Sequence, residues 1–304
     1  MKPLIIGVGE VLWDILPSGP RMGGAPTNFA CHSRALGSDA RVVSRVGDDA
    51  SGVLLLRDLE ETGMPVSGIS VDADHATGSV GVEIMDDGQP LFTIREDVAW
   101  DHLVADLPTM DLFTRADAVC FGTLAQRNRG SAAVIRTLVG STSDHALRIF
   151  DVNLRQDYFS VETITSSLEL ANVLKLNDAE LPQIAGMLGI PGTVREKITT
   201  LCSRFALRLV AYTRGAQGSV LFDGREWCEH SGLATEVCDT VGAGDSFTAA
   251  VTLGLLKQWP LSTISAAANE VAAHVCSHDG AVPPLTDSLC ARFQLETAGS
   301  AGIS

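Results

Sequence analysis

Short apolar runs alternate with longer helical stretches along most of this 304-residue chain, and that rhythm restricts the folds open to it. The runs are Leu4 to Val8, Ala40 to Val46, Ala118 to Phe121, Leu147 to Asp151, Val173 to Leu176 and Leu207 to Tyr212. Between them come stretches such as Asn28 to Leu36, Gly52 to Thr62, Ser131 to Val139 and Thr193 to Phe205. A strand apolar on both sides must be covered on both sides, and an intervening helix returns the chain for parallel pairing. The pattern therefore predicts an α/β protein with a mainly parallel sheet.

One segment breaks the rhythm. Thr77 to Ile94 reads as two alternating strands around Asp86-Asp87-Gly88, an antiparallel hairpin, and Val11 to Leu16 is also short and strand-like. A small sheet beside a large body reads either as a lid over a cleft or as an edge hairpin of the main sheet. A second hairpin is expected over Ser219 to Trp227, around Asp223-Gly224. The small, polar residues 295–304 read as a disordered tail.

Composition excludes several classes of partner. With 22 basic and 37 acidic residues the net charge is −15, and no basic run offsets it, so neither nucleic acid nor an anionic lipid surface is an expected partner. No run of about 18 apolar residues exists to span a membrane. Leu4 to Val8 is too short for a signal-peptide core, and Glu10 follows at once. The seven cysteines are odd in number and widely spaced, with no C-x-x-C pair. They fit reduced thiols, and the expected location is cytoplasmic. His274, Cys276 and His278 lie two apart, so neighbours do not share a helix face, and no zinc site is expected.

Five segments could carry chemistry. In Asp239-Thr-Val-Gly-Ala-Gly-Asp245 two glycines permit a tight turn before a helix expected from Asp245 to Lys257. A helix N-terminus attracts anions, phosphate above all. An acid at that spot needs a task, such as taking a proton from an attacking hydroxyl; otherwise it is an ordinary glycine turn with an aspartate cap. Gly23-Gly24-x-x-x-Asn28, with Asp14 upstream, suits a polyol, or else Asp14 is a turn residue and Asn28 a cap. Asp151-Val-Asn-Leu-Arg155 would fall at the carboxyl end of a strand, where ligands collect, and Arg155 either orients a phosphate or closes a loop salt bridge. Asn177 and Glu180, three apart, either hold a hydrated magnesium ion or form a capping box. Thr213-Arg-Gly215-Ala-Gln-Gly218 either follows a nucleotide's phosphates or starts a hairpin. Gly7-Val-Gly9 lacks the third glycine of a dinucleotide fingerprint, which weakens an NAD oxidoreductase reading, and there is no Walker sequence.

As a set these segments resemble the ribokinase-like (PfkB) family of sugar and nucleoside kinases, with Asp239 to Asp245 the most specific. Gly9-Glu10-Val-Leu-Trp-Asp14, Gly23 to Ala30, Val98 to Asp101 and Asp151 to Arg155 look most like bacterial fructokinases. The resemblance implies a three-layer α/β/α fold in one domain, residues 1–294, with a β lid from about 11–22 and 76–98 and a nucleotide-binding half at about 175–290. It implies ATP, Mg²⁺ and a sugar as ligands, and a homodimer through the lid edges. Asp245 would be the general base, with the N–H groups of Gly242, Ala243 and Gly244 as the anion hole. Asp14, Gly24, Asn28 and Arg155 would hold the sugar. Asn177 and Glu180 would organise Mg²⁺ through water. Thr213, Gly215, Gly218 and Asn269 would line the nucleotide site. Potassium would sit on Asp239, Val241, Val275, His278 and Gly280; Pro284 stands where ribokinases have a serine ligand. The implied activity is an ATP-dependent fructokinase. A kinase for ribose, another ketose or a sugar acid is the alternative, and a catalytically inactive sugar-binding protein on the same fold comes behind it.

Overall fold

The computed structural model describes residues 2–16, 18–84 and 90–294. In chain order the strands are β1 (Leu4–Val8), β2 (Leu12–Leu16), β3 (Gly19–Gly23), β4 (Asp39–Gly47), β5 (Ile69–Asp72), β6 (Gly78–Ile84), β7 (Pro90–Ile94), β8 (Ala118–Phe121), β9 (Leu147–Asp151), β10 (Val173–Asn177), β11 (Leu209–Thr213), β12 (Ser219–Phe222) and β13 (Trp227–His230). The α-helices are α1 (Ala25–Ala35), α2 (Ala50–Glu61), α3 (Leu107–Thr114), α4 (Arg129–Gly140), α5 (Val161–Leu170), α6 (Glu180–Met187), α7 (Val194–Arg204), α8 (Ala243–Leu256), α9 (Leu261–Cys276) and α10 (Asp287–Gln294).

Nine strands form one sheet in the order β13-β12-β11-β10-β9-β8-β1-β4-β5. It is parallel from β11 through to β5 and turns antiparallel only at β12 and β13. Successive side chains on a strand point to opposite faces. Ile5, Ile149, Val173 and Leu209 accordingly pack with Phe29, Phe247, Ile264 and Phe293 of α1, α8, α9 and α10. Their neighbours Ile6, Phe150, Leu174 and Val210 pack with Phe113, Ile135, Ile164, Leu181 and Ile198 of α3 to α7. This is the three-layer α/β/α architecture. No helix among the described residues is long and apolar enough to cross a membrane.

The segment that broke the rhythm forms its own sheet, ordered β3-β2-β6-β7, rather than an edge of the large one. β6 and β7 pair antiparallel as expected; the turn at Asp86 to Gly88 and the tail 295–304 lie outside the described residues. The chain leaves the carboxyl end of β1, runs through β2 and β3 of the small sheet, and enters α1. That path places the small sheet at the end of the large one where parallel strands of α/β proteins present their ligand-binding residues.

Candidate active site

At the carboxyl end of β9, Asp151 is the register partner of Lys175 in the middle of β10, and Lys175 Nζ bonds Asp151 Oδ1 at 2.9 Å. Both are buried. A buried ion pair keeps its charges only when the remaining lone pairs are satisfied. Thr248 on α8 supplies one such bond, donating to Asp151 Oδ2 at 3.0 Å. Burial opposes the ammonium of Lys175, but Asp151, Glu180 and Asp245 outweigh it and hold its pKa above the usual lysine value.

The expected glycine turn opens α8 two residues earlier than predicted. Gly242, not Asp245, is the N-cap, in a left-handed conformation (φ 77°). A Cβ there would stand 2.1 Å from the carbonyl oxygen of Ala281, so the position admits only glycine. The first turn of a helix leaves N–H groups without intrahelical acceptors. Ala243 N–H leans back on Thr240 O at 3.4 Å. Lys175 Nζ lies 2.9 Å from where a Cβ on Gly244 would be, so a cation flanks the turn. Asp239 orders the approach by accepting from Val241 N (3.0 Å) and Gly280 N (3.2 Å).

Asp245 is set deep in this environment with part of its surface open. Asn28 Nδ2 donates to its Oδ2 at 2.8 Å. Burial, followed by the Asp151 charge, raises its carboxyl to about 6, against the opposing pull of Lys175, Asn28 and Arg155. Asn28 is therefore no cap: it is buried inside α1, which Gly24 caps. Asp14 is no turn residue: it lies within β2, half-buried, and burial pushes its carboxyl to about 6, with Arg155 opposing. A Cβ on Gly23 would meet Asp14 Oδ2 at 2.2 Å, so the first glycine of the pair makes room for that carboxylate. Arg155 is exposed and acts electrostatically on Asp14, Glu10 and Asp245; its guanidinium donates to Leu154 O at 3.2 Å, and it forms no salt bridge among the described residues.

Asn177 and Glu180 form the reciprocal capping arrangement. Glu180 N–H donates to Asn177 Oδ1 at 2.9 Å, and Asn177 N–H donates to Glu180 Oε2 at 2.8 Å. Leu154 N–H donates to Glu180 Oε1 at 3.1 Å. A carboxylate has about four lone-pair sites, so two remain on Glu180, which suits a contact through metal-bound water better than a direct one. Thr213 to Gly218 links the antiparallel pair β11 and β12, and Gly218 (φ 78°) closes that link with its carbonyl accepting from Arg214 N at 2.8 Å. Asn177 and Thr213 are register neighbours. Asn269 on α9 donates to Ser219 Oγ on β12 at 2.8 Å and to Ser265 O at 2.8 Å. The carbonyl of Val275 accepts from His278 N–H at 3.1 Å, and the carbonyl of Pro284 faces His274 Nε2 at 2.9 Å.

Sequence reasoning passed over two members of this constellation. Glu10 is fully enclosed beside Asp245, and burial, with Asp245 adding to it, raises its carboxyl to about 7. Glu10 Oε2 and Asn28 Oδ1 have no hydrogen-bond partner among the described residues. In the sequence Lys175 stands only as part of an apolar strand. Both had the same visible signal, one charge inside an otherwise apolar run: Leu4 to Trp13 for Glu10 and Val173 to Leu176 for Lys175. Buried charges of this kind are rare without a partner or a ligand.

The model of the pfkB family carbohydrate kinases matches residues 20–288. The chain belongs to this family. It is 28% identical to the fructokinase of Escherichia coli over 261 residues, 82% of this chain and 83% of that protein. An uncharacterized sugar kinase from Pyrococcus horikoshii, solved in complex with ATP, superposes with a TM-score of 0.78 at 27% identity, over 91% of this chain and 94% of that one. A fructokinase from Vibrio cholerae, solved in a fructose, ADP and calcium ion bound form, gives 0.80 at 22%, over 96% and 99%, and bears on the fold alone. The protein is thus a carbohydrate kinase of the pfkB family.

Proposed function

We propose that the protein is an ATP-dependent fructokinase that makes fructose 6-phosphate by direct in-line transfer. The observation that carries this reading is the contact between Asn28 and Asp245, which joins the half of the chain suited to a polyol to the acid at a helix N-terminus. Asp245 removes the proton of the primary hydroxyl as the oxygen attacks the γ-phosphorus and the bond to the ADP oxygen breaks. A carboxyl raised to about 6 is a stronger base than a free aspartate and still ionised near neutrality. The N–H groups of Gly242, Ala243 and Gly244 take up charge on the transferred group, with Lys175 beside them.

Asp14, Gly24, Asn28 and Arg155 hold the sugar, and the two unpartnered acceptors, Glu10 Oε2 and Asn28 Oδ1, suit a ligand rich in hydroxyl donors. Thr213, Gly215, Gly218 and Asn269 line the nucleotide site within residues 175–290, and the small sheet serves as the lid of the single domain, 1–294. Asn177 and Glu180 would hold a hydrated Mg²⁺, which when bound neutralises phosphate charge. Potassium would sit against Asp239, Val241, Val275, His278 and Gly280, where the Asp239 carboxylate already ties two of the segments together. The edges β3 and β7 of the small sheet are where a second copy would dock to form a homodimer.

The test is ADP release under Mg-ATP across fructose, ribose, other ketoses and sugar acids. Fructose is expected to give the highest kcat/KM, with fructose 6-phosphate as product. A higher value for ribose or a sugar acid would replace the substrate and leave the kinase standing. Sugar binding by calorimetry with no ADP from any acceptor would establish the inactive binding protein instead.

A further inference from the structure

The chain passages that lead into β6 and out of β7 of the small sheet meet at a cluster that the phosphoryl-transfer site does not use. His75 lies between β5 and β6; Asp97 follows β7; His102 ends the 3₁₀ turn Ala99–His102. His102 Nε2 is 2.8 Å from Asp97 Oδ1, His75 Nε2 is 3.8 Å from the same oxygen, and the three atoms lie within 4.8 Å of one another. We propose that His75, His102 and Asp97 bind a divalent ion of the zinc class, clamping the root of the small sheet.

Three observations carry this. The first is the distances. A tetrahedral ion with ligand bonds of about 2.0–2.1 Å holds its ligand atoms roughly 3.4 Å apart. The separations of 2.8 and 3.8 Å bracket that value, so small side-chain movements complete the geometry.

The second is the support behind His75. Its Nδ1 faces Asp72 Oδ2 at 3.0 Å. Asp72 is buried, carries Arg45 at 3.0 Å, and accepts from Asp74 N–H at 2.9 Å, so it is a fixed carboxylate. A carboxylate on Nδ1–H sets the tautomer in which Nε2 offers a lone pair, the arrangement found behind metal-ligating histidines. Arg45 also donates to His102 O at 2.8 Å, tying the backbones of both histidines to the one buried group.

The third is access and mobility. The rings of His75 and His102 are stacked, with centroids 3.5 Å apart and planes 16° apart. Parallel rings cannot aim both lone pairs at one point, so one ring must turn. His75 is anchored by Asp72, whereas the His102 ring makes its hydrogen bond only to Asp97 among the described residues, so His102 turns. Asp97 is exposed and both histidines are partly so, which leaves an ion a route in and room for a water as a fourth ligand. Two imidazoles and one carboxylate favour Zn²⁺-class ions over Mg²⁺ or Ca²⁺, which prefer all-oxygen sites.

The test uses the full chain, stripped with chelator, dialysed and titrated with Co²⁺ as the optical probe, without nucleotide. Expected are about one equivalent bound, visible d–d bands, and no near-ultraviolet thiolate band, which separates this site from the cysteines. His102→Ala and Asp97→Asn should each weaken binding by about tenfold or more. Asparagine is chosen because position 97 has a left-handed backbone (φ 53°) that asparagine tolerates. Both variants should keep the wild-type circular dichroism and Mg-ATP turnover, since neither residue is in the phosphoryl-transfer site. Undiminished Co²⁺ bands in both variants, a thiolate band, or no binding at 0.1 mM Co²⁺ would overturn the proposal. Failure of the kinase reading would leave the spectrum unchanged, so the two claims fall separately.

Discussion

Around Asp245 the protein encloses Glu10, Asp151, Lys175 and Glu180 together, whereas β2 and β3 keep Asp14 half-buried and lean on the body through an exposed ion pair, Arg21 to Asp279 at 2.6 Å. Both regions place carboxylates near Arg155. They differ in what a lost partner costs. Inside the body, water cannot replace a missing ion, so each charge depends on the others. On the small sheet it can, so a substitution there leaves no charge stranded. If the proposed function holds, the chemistry sits in the enclosed body and substrate choice in a thin sheet that water reaches.

The sharpest way to break this contrast is Asp245→Ala, expected to lower kcat by about three orders of magnitude or more while calorimetry shows the sugar still bound. Normal turnover would remove the base from the body. Next, Lys175→Met strands Asp151 and should cost about 3–5 kcal/mol in urea unfolding. Because Lys175 helps to ionise Asp245, any turnover that survives should also show its acid limb at higher pH. A loss no larger than that of a surface pair would mean that the pocket is wetter than described.

The pH dependence of Asp245 follows from its raised carboxyl, about 6 folded against about 3.9 unfolded. The folded protein holds this proton more tightly. Its contribution to stability is therefore greatest below about pH 4, declines as pH rises through 6, and is absent above. Asp245→Asn should then be stabilised relative to wild type by about 2 kcal/mol more at pH 8 than at pH 4. In the wild type, kcat/KM should fall as pH drops below about 6. A flat stability difference between pH 4 and 8 would show that the carboxylate is well solvated. On the other side of the contrast, Asp14→Asn should raise KM for the sugar about tenfold with little change in kcat. The smallest effect belongs to Arg21→Ala, below about 1 kcal/mol, because its partner Asp279 is exposed.

Much of this was legible in the chain. The hydrophobic rhythm located six of the seven parallel strands, five of them within a residue at each end, because apolar periodicity and strand spacing are local properties; β5 was missed. The glycine turn before α8 and the polyol segment before α1 were visible as sequence, yet their caps were not: both helices begin before the polar residue expected to start them. Asn28 turned from a cap into a buried donor because α1 packs beside α8, and nothing within a few residues of Asn28 reports that.

The sequence by itself determined the layered α/β body, the order of its motifs and its family, since these depend on side-chain periodicity and on residue types at short spacing. Only the tertiary structure decided that Asn28 meets Asp245 across 217 positions, that Lys175 pairs with Asp151, and that His75, Asp97 and His102 converge at the root of the small sheet. The reason is physical. The ionisation and reactivity of a charged group depend on which distant groups share its low-dielectric surroundings, and that is settled only when the strands pair and the helices pack over them.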